Sequence, residues 1–252
     1  MIDLHSHLLP GVDDGSRSVE QSVGVLRTMA RQGVTAVCLT PHVVASRAAQ
    51  GVPPAHDRAF LDLTAQAPPE VRLVRGAEVM LDRPLYAADA QPFTIGGSRY
   101  ILVEFPRMIA EEAVRNALAI LAGEGLVPLL AHPERYSSCS VEAARRWKAA
   151  GAKLQVDATT LLSPEPRGER ARALVIAGLA DIMAADNHGD TRSIATGAQA
   201  LREHRGELQA ELLSTTNPAA ILADGELEPV PPLAIRATWG QRLRRLFEPR
   251  DP

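Results

Sequence analysis

The chain has 252 residues, 46% of them hydrophobic and 23% charged, which is enough for one large α/β domain with a substantial core. A net charge of −3 excludes a general electrostatic attraction to nucleic acid or to an anionic membrane. Two cysteines, Cys38 and Cys139, make no disulfide framework, no apolar run is long enough to span a bilayer, and the acidic, His-rich start is not a signal peptide; a cytoplasmic protein is the expectation.

Short apolar runs alternate with amphipathic stretches. The runs are "IDLH", "VTAVCLTPH", "VRLVRGAEVML", "RYILVEF", "VPLLAHPE", "AKLQVDA" and "LADIMAADNH". Near-continuous apolar character rich in Val, Ile and Leu reads as strands of a parallel sheet, buried on both faces. The first helix spans Ser18 to Gln32: Ser18 and Gln21 have the pattern of a capping box, Val19, Val23, Leu26 and Met29 share a face, and Gly33 stops it. Further helices are expected near Ala55–Gln66, Ala110–Gly123, Val141–Ala150, Arg167–Ala177 and Ser193–His204. A last pair covers Glu207–Leu213 and "NPAAIL", with Asn217 as cap and Pro218 in the first turn. Repeated β–α units predict either a barrel or an open doubly wound sheet, and the chain has no GxGxxG or Walker pattern to favour a nucleotide-binding sheet.

Residues 224–252 read as a C-terminal extension, in which "EPVPP" is extended and "TWGQRLRRLFEPR" is basic and aromatic. Trp239, Leu243, Leu246 and Phe247 beside Arg242, Arg244 and Arg245 suit an amphipathic contact with an acidic partner or a peripheral contact with a membrane surface. A frayed terminus or an oligomer contact accounts for the same residues.

The chemistry gathers where the apolar runs end. The first ends in His5 and His7, the second in His42, the third in Glu78, the fourth in Glu104, the fifth in His132, and the last in Asp186 and His188. Asp14 sits on the glycine-flanked loop after the first run. In β/α barrels the C-terminal strand ends form the active-site face. His5 and His7 are two apart, so both point the same way from a strand, and Asp186 and His188 repeat the spacing. Of seven histidines, only His56 and His204 fall outside this set, on helices. Singly, a strand-end histidine is more often structural than a ligand. Asp157, at the end of "LQVD", is left to a structural role. Together the nine positions are too many for one tetrahedral zinc and suit two or three divalent ions that share bridging carboxylates. Imidazole and carboxylate without thiolate favour Mn²⁺, Fe or Zn²⁺ in a catalytic role.

Seven segments, "DLHSHLLPGVDDG", "TPH" (Thr40–His42), "GAE" (Gly76–Glu78), "VEF" (Val103–Phe105), "AHPERY" (Ala131–Tyr136), "ADNH" (Ala185–His188) and "NPAAIL", run in order from residue 2 to about residue 222. In them the chain resembles the polymerase-and-histidinol-phosphatase (PHP) family, and more closely the bacterial manganese-dependent protein-tyrosine phosphatases of capsule and exopolysaccharide operons. The resemblance implies a distorted, TIM-like (β/α) barrel over residues 1–223 with a trinuclear metal site, manganese first, at the C-terminal strand ends. It implies His5, His7, Glu78 and Asp186 around one ion, Glu78 bridging to a second held with Glu104 and His132, and Asp14, His42 and His188 around the third. The implied substrate is a phosphotyrosyl protein, the tail of an autophosphorylating tyrosine kinase that controls polysaccharide synthesis. Hydrolysis proceeds by a metal-activated hydroxide. Arg135, in "HPER", is the first candidate for clamping phosphate and Arg192, in "DNHGDTR", the second, because a guanidinium fork matches phosphate oxygens.

Three departures from the family pattern stand out. Ala185–Asp186–Asn187–His188 replaces Ser-Asp-Ala-His, Arg192 is displaced by one position, and "ATTLLSPEPRGER" after Asp157 lacks the usual glycine-containing stretch. A small monoester such as histidinol phosphate would use the same metal core. A non-catalytic binding module would have lost ligands, and none is missing. Cys139 and Arg145 have the C-x5-R spacing of thiol phosphatases, but the intervening "SVEAA" has no glycine to cradle phosphate. The sequence leaves homo-oligomer formation open.

Overall fold

The structure, a computed structural model, describes residues 1–233; the basic segment 236–252 lies outside the described residues. In chain order the first half contains β1 (Ile2–Asp3), α1 (Val19–Arg31), β2 (Ala36–Leu39), β3 (His42–Val44), α2 (Pro54–Thr64), β4 (Arg72–Arg75), β5 (Glu78–Met80), α3 (Ala87–Ala90) and β6 (Tyr100–Glu104). Then follow α4 (Glu111–Gly123), β7 (Val127–Ala131), α5 (Val141–Ala149), β8 (Lys153–Asp157), α6 (Pro166–Ile176), β9 (Ile182–Ala184), α7 (Ile194–Glu203), α8 (Glu207–Glu211) and α9 (Asn217–Leu222). All strand pairings are parallel, in the orders β1-β2-β4 and β3-β5-β6-β7-β8-β9.

Two of the apolar runs are not single strands. "VTAVCLTPH" stops at Leu39 and resumes at His42, because Pro41 has no N–H for the ladder. "VRLVRGAEVML" stops at Arg75 and resumes at Glu78. At the break a Cβ on Gly76 would sit 2.8 Å from Cys38 Sγ, so only glycine passes there. Glu78 N donates to Pro41 O at 3.1 Å across the paired breaks. His42 and Glu78 therefore open second strand segments; the expectation that they close the first ones is corrected.

The chain's start joins the far edge. Thr40 N donates to Ser6 O (2.9 Å), Asp186 N to His5 O (3.1 Å) and His7 N to Asn187 O (2.7 Å). Residues 5–7 thus lie between the second strand position and the last. This is the distorted α/β barrel of the two architectures the sequence allows. Its interior is packed by Leu4, Cys38, Val74, Tyr100, Leu102, Leu129 and Ile182, with Ile95 and Ile221 contributing from outside the strands. The larger outer core takes Val23, Leu26 and Met29 of α1, Val114, Leu118 and Leu121 of α4, and Trp147 of α5.

Helix ends follow the sequence with two exceptions, at Gln21 and at Asn217. Ser18 accepts from Gln21 N at 3.2 Å as a cap should. The Gln21 side chain does not return to Ser18; it accepts from Arg17 N (2.9 Å) and donates to Gly189 O (2.8 Å). Asn217 is not a cap. A π-helical turn, Leu212–Thr216, carries α8 straight into α9, so Asn217 has helical backbone. Its amide instead donates to Asp181 O (2.9 Å) and Glu228 O (3.0 Å) and accepts from Glu228 N (2.8 Å). That exchange seats residues 224–233 on the barrel, where Tyr100 donates its hydroxyl to Gly225 O (2.6 Å) and Val230 and Leu233 are buried. No helix among the described residues is long and apolar enough to cross a membrane.

Trp147 is fully buried and its indole N–H donates to Glu111 O at 3.4 Å, tying α5 to the start of α4. Trp147→Ala is expected to cost about 3–5 kcal/mol of stability in urea denaturation, the range for a deleted core aromatic. A loss below about 1 kcal/mol would show that the outer core collapses around the gap.

Candidate metal centre

His5 and His7 project to the same side of the closing segment. His5 Nδ1 lies 2.9 Å from Gln155 Oε1. The Gln155 amide nitrogen donates to Val156 O (3.0 Å), which orients its oxygen toward the ring. His7 Nδ1 lies 2.8 Å from Asp13 Oδ2. With an acceptor on each Nδ1, the ring proton sits there and each Nε2 offers a lone pair. Those two Nε2 atoms face one another at 3.2 Å. Each is also 3.3 Å from Glu78 Oε2 and 3.3 Å from Asp186 Oδ1. All four side chains are buried.

Donor atoms 3.2–3.3 Å apart have the spacing of imidazole and carboxylate ligands that share a first-row divalent ion at about 2 Å. Unoccupied by positive charge, such a group stacks repulsion on desolvation. The titration tendencies report the same field. Burial opposes protonation of His7, yet Asp13, Asp186 and Glu78 push its pKa well above the usual histidine value. Burial likewise works against ionised Asp186, and His5, His7 and Arg135 outweigh it, holding the carboxyl well below its usual range. The residues therefore fit a divalent cation.

Glu78 turns its other oxygen to His132, with Oε1 2.8 Å from Nε2, which is the posture of a bridging carboxylate. His42 Nδ1 is 3.2 Å from Glu78 Oε2 and 3.4 Å from Glu104 Oε1. Burial lowers the His42 pKa, but hydrogen bonds to Glu104 and Glu78 raise it to about 10. His42 Nε2 reaches Asp14 Oδ1 at 3.4 Å, and His188 Nε2 reaches the same oxygen at 3.5 Å. Ligand atoms cluster as His5–His7–Asp186, His5–Glu78–His132, His42–Glu78–Glu104 and His7–Asp14–His42–His188, within 4.8 Å of one another in each group. All nine positions singled out in the sequence thus meet in one place, with His42 standing between two groups.

Backbone strain serves this convergence. His132 (φ 33°) and Asp186 (φ 49°) both adopt the left-handed region, unusual for residues other than glycine. Gly15 lets the "VDDG" loop lie against His7: a Cβ there would be 2.0 Å from His7 O, which accepts from Ser16 N at 2.8 Å. The loop brings Asp13 to the His7 ring and Asp14 toward His42 and His188.

A cavity of about 270 Å³ opens over the cluster and is also lined by Phe105, Arg107, Arg135 and Arg192. Arg135 Nη2 donates to Asp157 Oδ2 (2.7 Å) and to Asp186 Oδ2. The other Asp157 oxygen accepts from Thr159 N (2.8 Å), the Thr159 hydroxyl (2.8 Å) and Thr160 N (3.1 Å). Asp157 is therefore the anchor of Arg135. Arg192 donates to Asp190 Oδ2 (2.8 Å) and to Asp186 Oδ2 (3.4 Å). Asn187, which departs from the family pattern, folds its own loop by accepting from Gly189 N (2.8 Å) and donating to Asp190 O (3.2 Å).

Asp13, Gln155, Phe105 and Arg107 belong to the site but are not among the candidate positions of the sequence, while Asp157 has the structural role left to it, as the anchor of Arg135. Gln155 carried a signal, a lone amide inside an apolar strand, and Asp13 stood beside Asp14. Phe105 closes the "VEF" segment, and nothing local marks Arg107. The thiol-phosphatase spacing fails: Cys139 is buried, burial and then Glu134 push its pKa up to about 12, and the turn behind it is filled by Ser140 accepting from Ala143 N (3.1 Å).

With this geometry in place, a family model described as capsular polysaccharide synthesis, CpsB/CapC, matches residues 1–223. The tyrosine-protein phosphatase CpsB of Streptococcus pneumoniae is 28% identical over 243 residues, 89% of this chain and 99% of that protein. The putative tyrosine-protein phosphatase CapC of Staphylococcus aureus is 26% identical over 203 residues, 76% of this chain and 78% of that protein. A solved structure from the work on YwqE of Bacillus subtilis and CpsB of S. pneumoniae, described as unique metal-dependent tyrosine phosphatases, shares the fold. Its TM-score is 0.71 at 23% identity, covering 94% of this chain and 100% of that one.

Gly15→Ala must displace the Asp13–Asp14 loop from His7. The expected result is a loss of metal affinity of about 10–100-fold in calorimetric titration, the size of a disrupted supporting hydrogen bond. Unchanged affinity would mean that the loop is dispensable for loading.

Proposed function

The chain belongs to the CpsB/CapC family of capsular polysaccharide synthesis proteins, and on that premise we propose that it is a metal-dependent protein-tyrosine phosphatase, a phosphoric monoester hydrolase. The observation that carries this reading is the buried set of His5, His7, Glu78 and Asp186, in which each histidine Nε2 lies 3.2–3.3 Å from the other histidine and from both carboxylates. In this reading His5, His7, Asp14, His42, Glu78, Glu104, His132, Asp186 and His188 hold two or three divalent ions, manganese first. Residues 1–223 carry the activity, and residues 224–252 are an extension whose first part, 224–233, packs on the barrel. The target is a phosphotyrosyl protein in the cytoplasm, the tail of a tyrosine autokinase that governs capsule or exopolysaccharide synthesis.

When bound, divalent ions there supply Lewis acidity and acidify water. The chain's own residues do the rest. Gln155 and Asp13 fix the tautomers that aim His5 and His7 Nε2 inward. Arg135 is held at the cavity wall by Asp157 through Nη2, which presents its guanidinium edge to phosphate oxygens. Arg192 adds a second guanidinium on the Asp190 side. A phenol leaves with a pKa of about 10, so the site does not need a strong acid behind the leaving oxygen.

Chelation is expected to abolish turnover of a phosphotyrosyl peptide and Mn²⁺ to restore it, with two or three ions per chain by elemental analysis. Full activity in chelator, or faster turnover of histidinol phosphate than of the peptide, overturns the reading. Asp157→Asn frees Arg135; KM for the peptide should rise about tenfold or more, the worth of one charge-assisted pair, with metal content unchanged.

A further inference from the structure

Three arginines line the cavity, and they are not equivalent. Arg135 is tied to Asp157 and Asp186, and Arg192 to Asp190 and Asp186. Arg107 is exposed, and among the described residues no carboxylate lies within ion-pair distance of it. It is nonetheless well placed. Its carbonyl accepts from Ser137 N (3.0 Å) and the Ser137 hydroxyl (3.3 Å), which fastens the loop after β6 to the segment that carries Arg135. Two residues earlier, Phe105 N donates to the Tyr136 hydroxyl (3.2 Å) and the two rings meet edge to face, 6.2 Å apart at 81°. The loop is therefore a fixed lip of the cavity.

Exposed apolar side chains follow nearby in chain order and in strand register. Met108 is 85% exposed. Val44 is 36% exposed and lies two residues past His42, on the same face of β3. Strand register sets Val44 beside Met80 and Met80 beside Glu104, one row beyond His42 and Glu78. A free cation next to an apolar ledge, at the mouth of a site read here as taking phosphotyrosine, complements a polypeptide with an acidic residue close to the phosphorylated tyrosine.

Resting on that phosphotyrosine reading, we propose that Arg107 is a specificity-determining residue: it pairs with a carboxylate side chain flanking the phosphotyrosine, so that acidic phosphotyrosyl peptides are the preferred substrates. The test compares two peptides that differ only in Glu or Gln at the residues flanking phosphotyrosine, with the Mn²⁺-loaded enzyme at low salt. The kcat/KM ratio of the Glu to the Gln peptide should be about fivefold, the worth of one partly exposed ion pair. It should fall to about one in Arg107→Ala, drop below one in Arg107→Glu, and survive in Arg107→Lys. Non-hydrolysable phosphonate versions of both peptides, followed by fluorescence polarisation, should give the same ratio in Kd. Turnover of both peptides with no preference, or a preference that Arg107→Ala leaves intact, overturns the proposal while leaving the phosphatase standing. Failure of the wild-type enzyme to turn over either peptide overturns both.

Discussion

Two imidazole nitrogens and two carboxylate oxygens, pressed together at 3.2–3.3 Å inside the protein, are the constraint on which this structure turns. No apolar core needs them, and without a cation each would be a desolvated acceptor facing other acceptors. Folding has to build this arrangement from residues 5, 7, 78 and 186, which are distant in the chain. The means are visible. The segment around Ser6 is stitched between the second and last strand positions, and Gly76 steps a strand past Cys38. His132 and Asp186 turn through left-handed backbone to point back over the strand ends. Each is a local cost accepted for one shared electrostatic target.

Much of the ligand set was legible because strand-end chemistry is local. His5 and His7 show their common direction by their spacing, and Glu104 and His132 each stand out at the close of an apolar run. What the sequence hides is anything decided between runs. "VRLVRGAEVML" stays apolar on both sides of its step, and only the proximity of Cys38 explains why it must break at Gly76. "NP" reads as a helix start, yet in α9 the asparagine amide is spent on Asp181 and Glu228, and the preceding π turn satisfies the backbone instead. Asp157 closes a run and is left to a structural role, and Asp13 stands on the loop beside Asp14. Their roles depend on partners 22 and 6 residues away, Arg135 and His7.

The charge pattern of the cavity divides into two layers. Deep in the site every charged group has an opposite neighbour, and the arginines there are already shared with aspartates. At the lip the Arg107 guanidinium has no carboxylate partner among the described residues. Such a division lets the inner layer respond to the phosphate group common to all substrates, while the outer layer reads whatever surrounds it.

Arg135 gives the inner layer a property of its own. Its guanidinium spans Asp157 on one side and Asp186 on the other, and Asp186 also faces His5 and His7. An oxyanion that draws on Arg135 must alter how much negative charge Asp186 can lend to a cation. Thermodynamic reciprocity then requires that the cation alter affinity for the oxyanion by the same factor. Under the proposed function, phosphate held at Arg135 and a cation held beside Asp186 would be linked in this way, each setting the other's affinity.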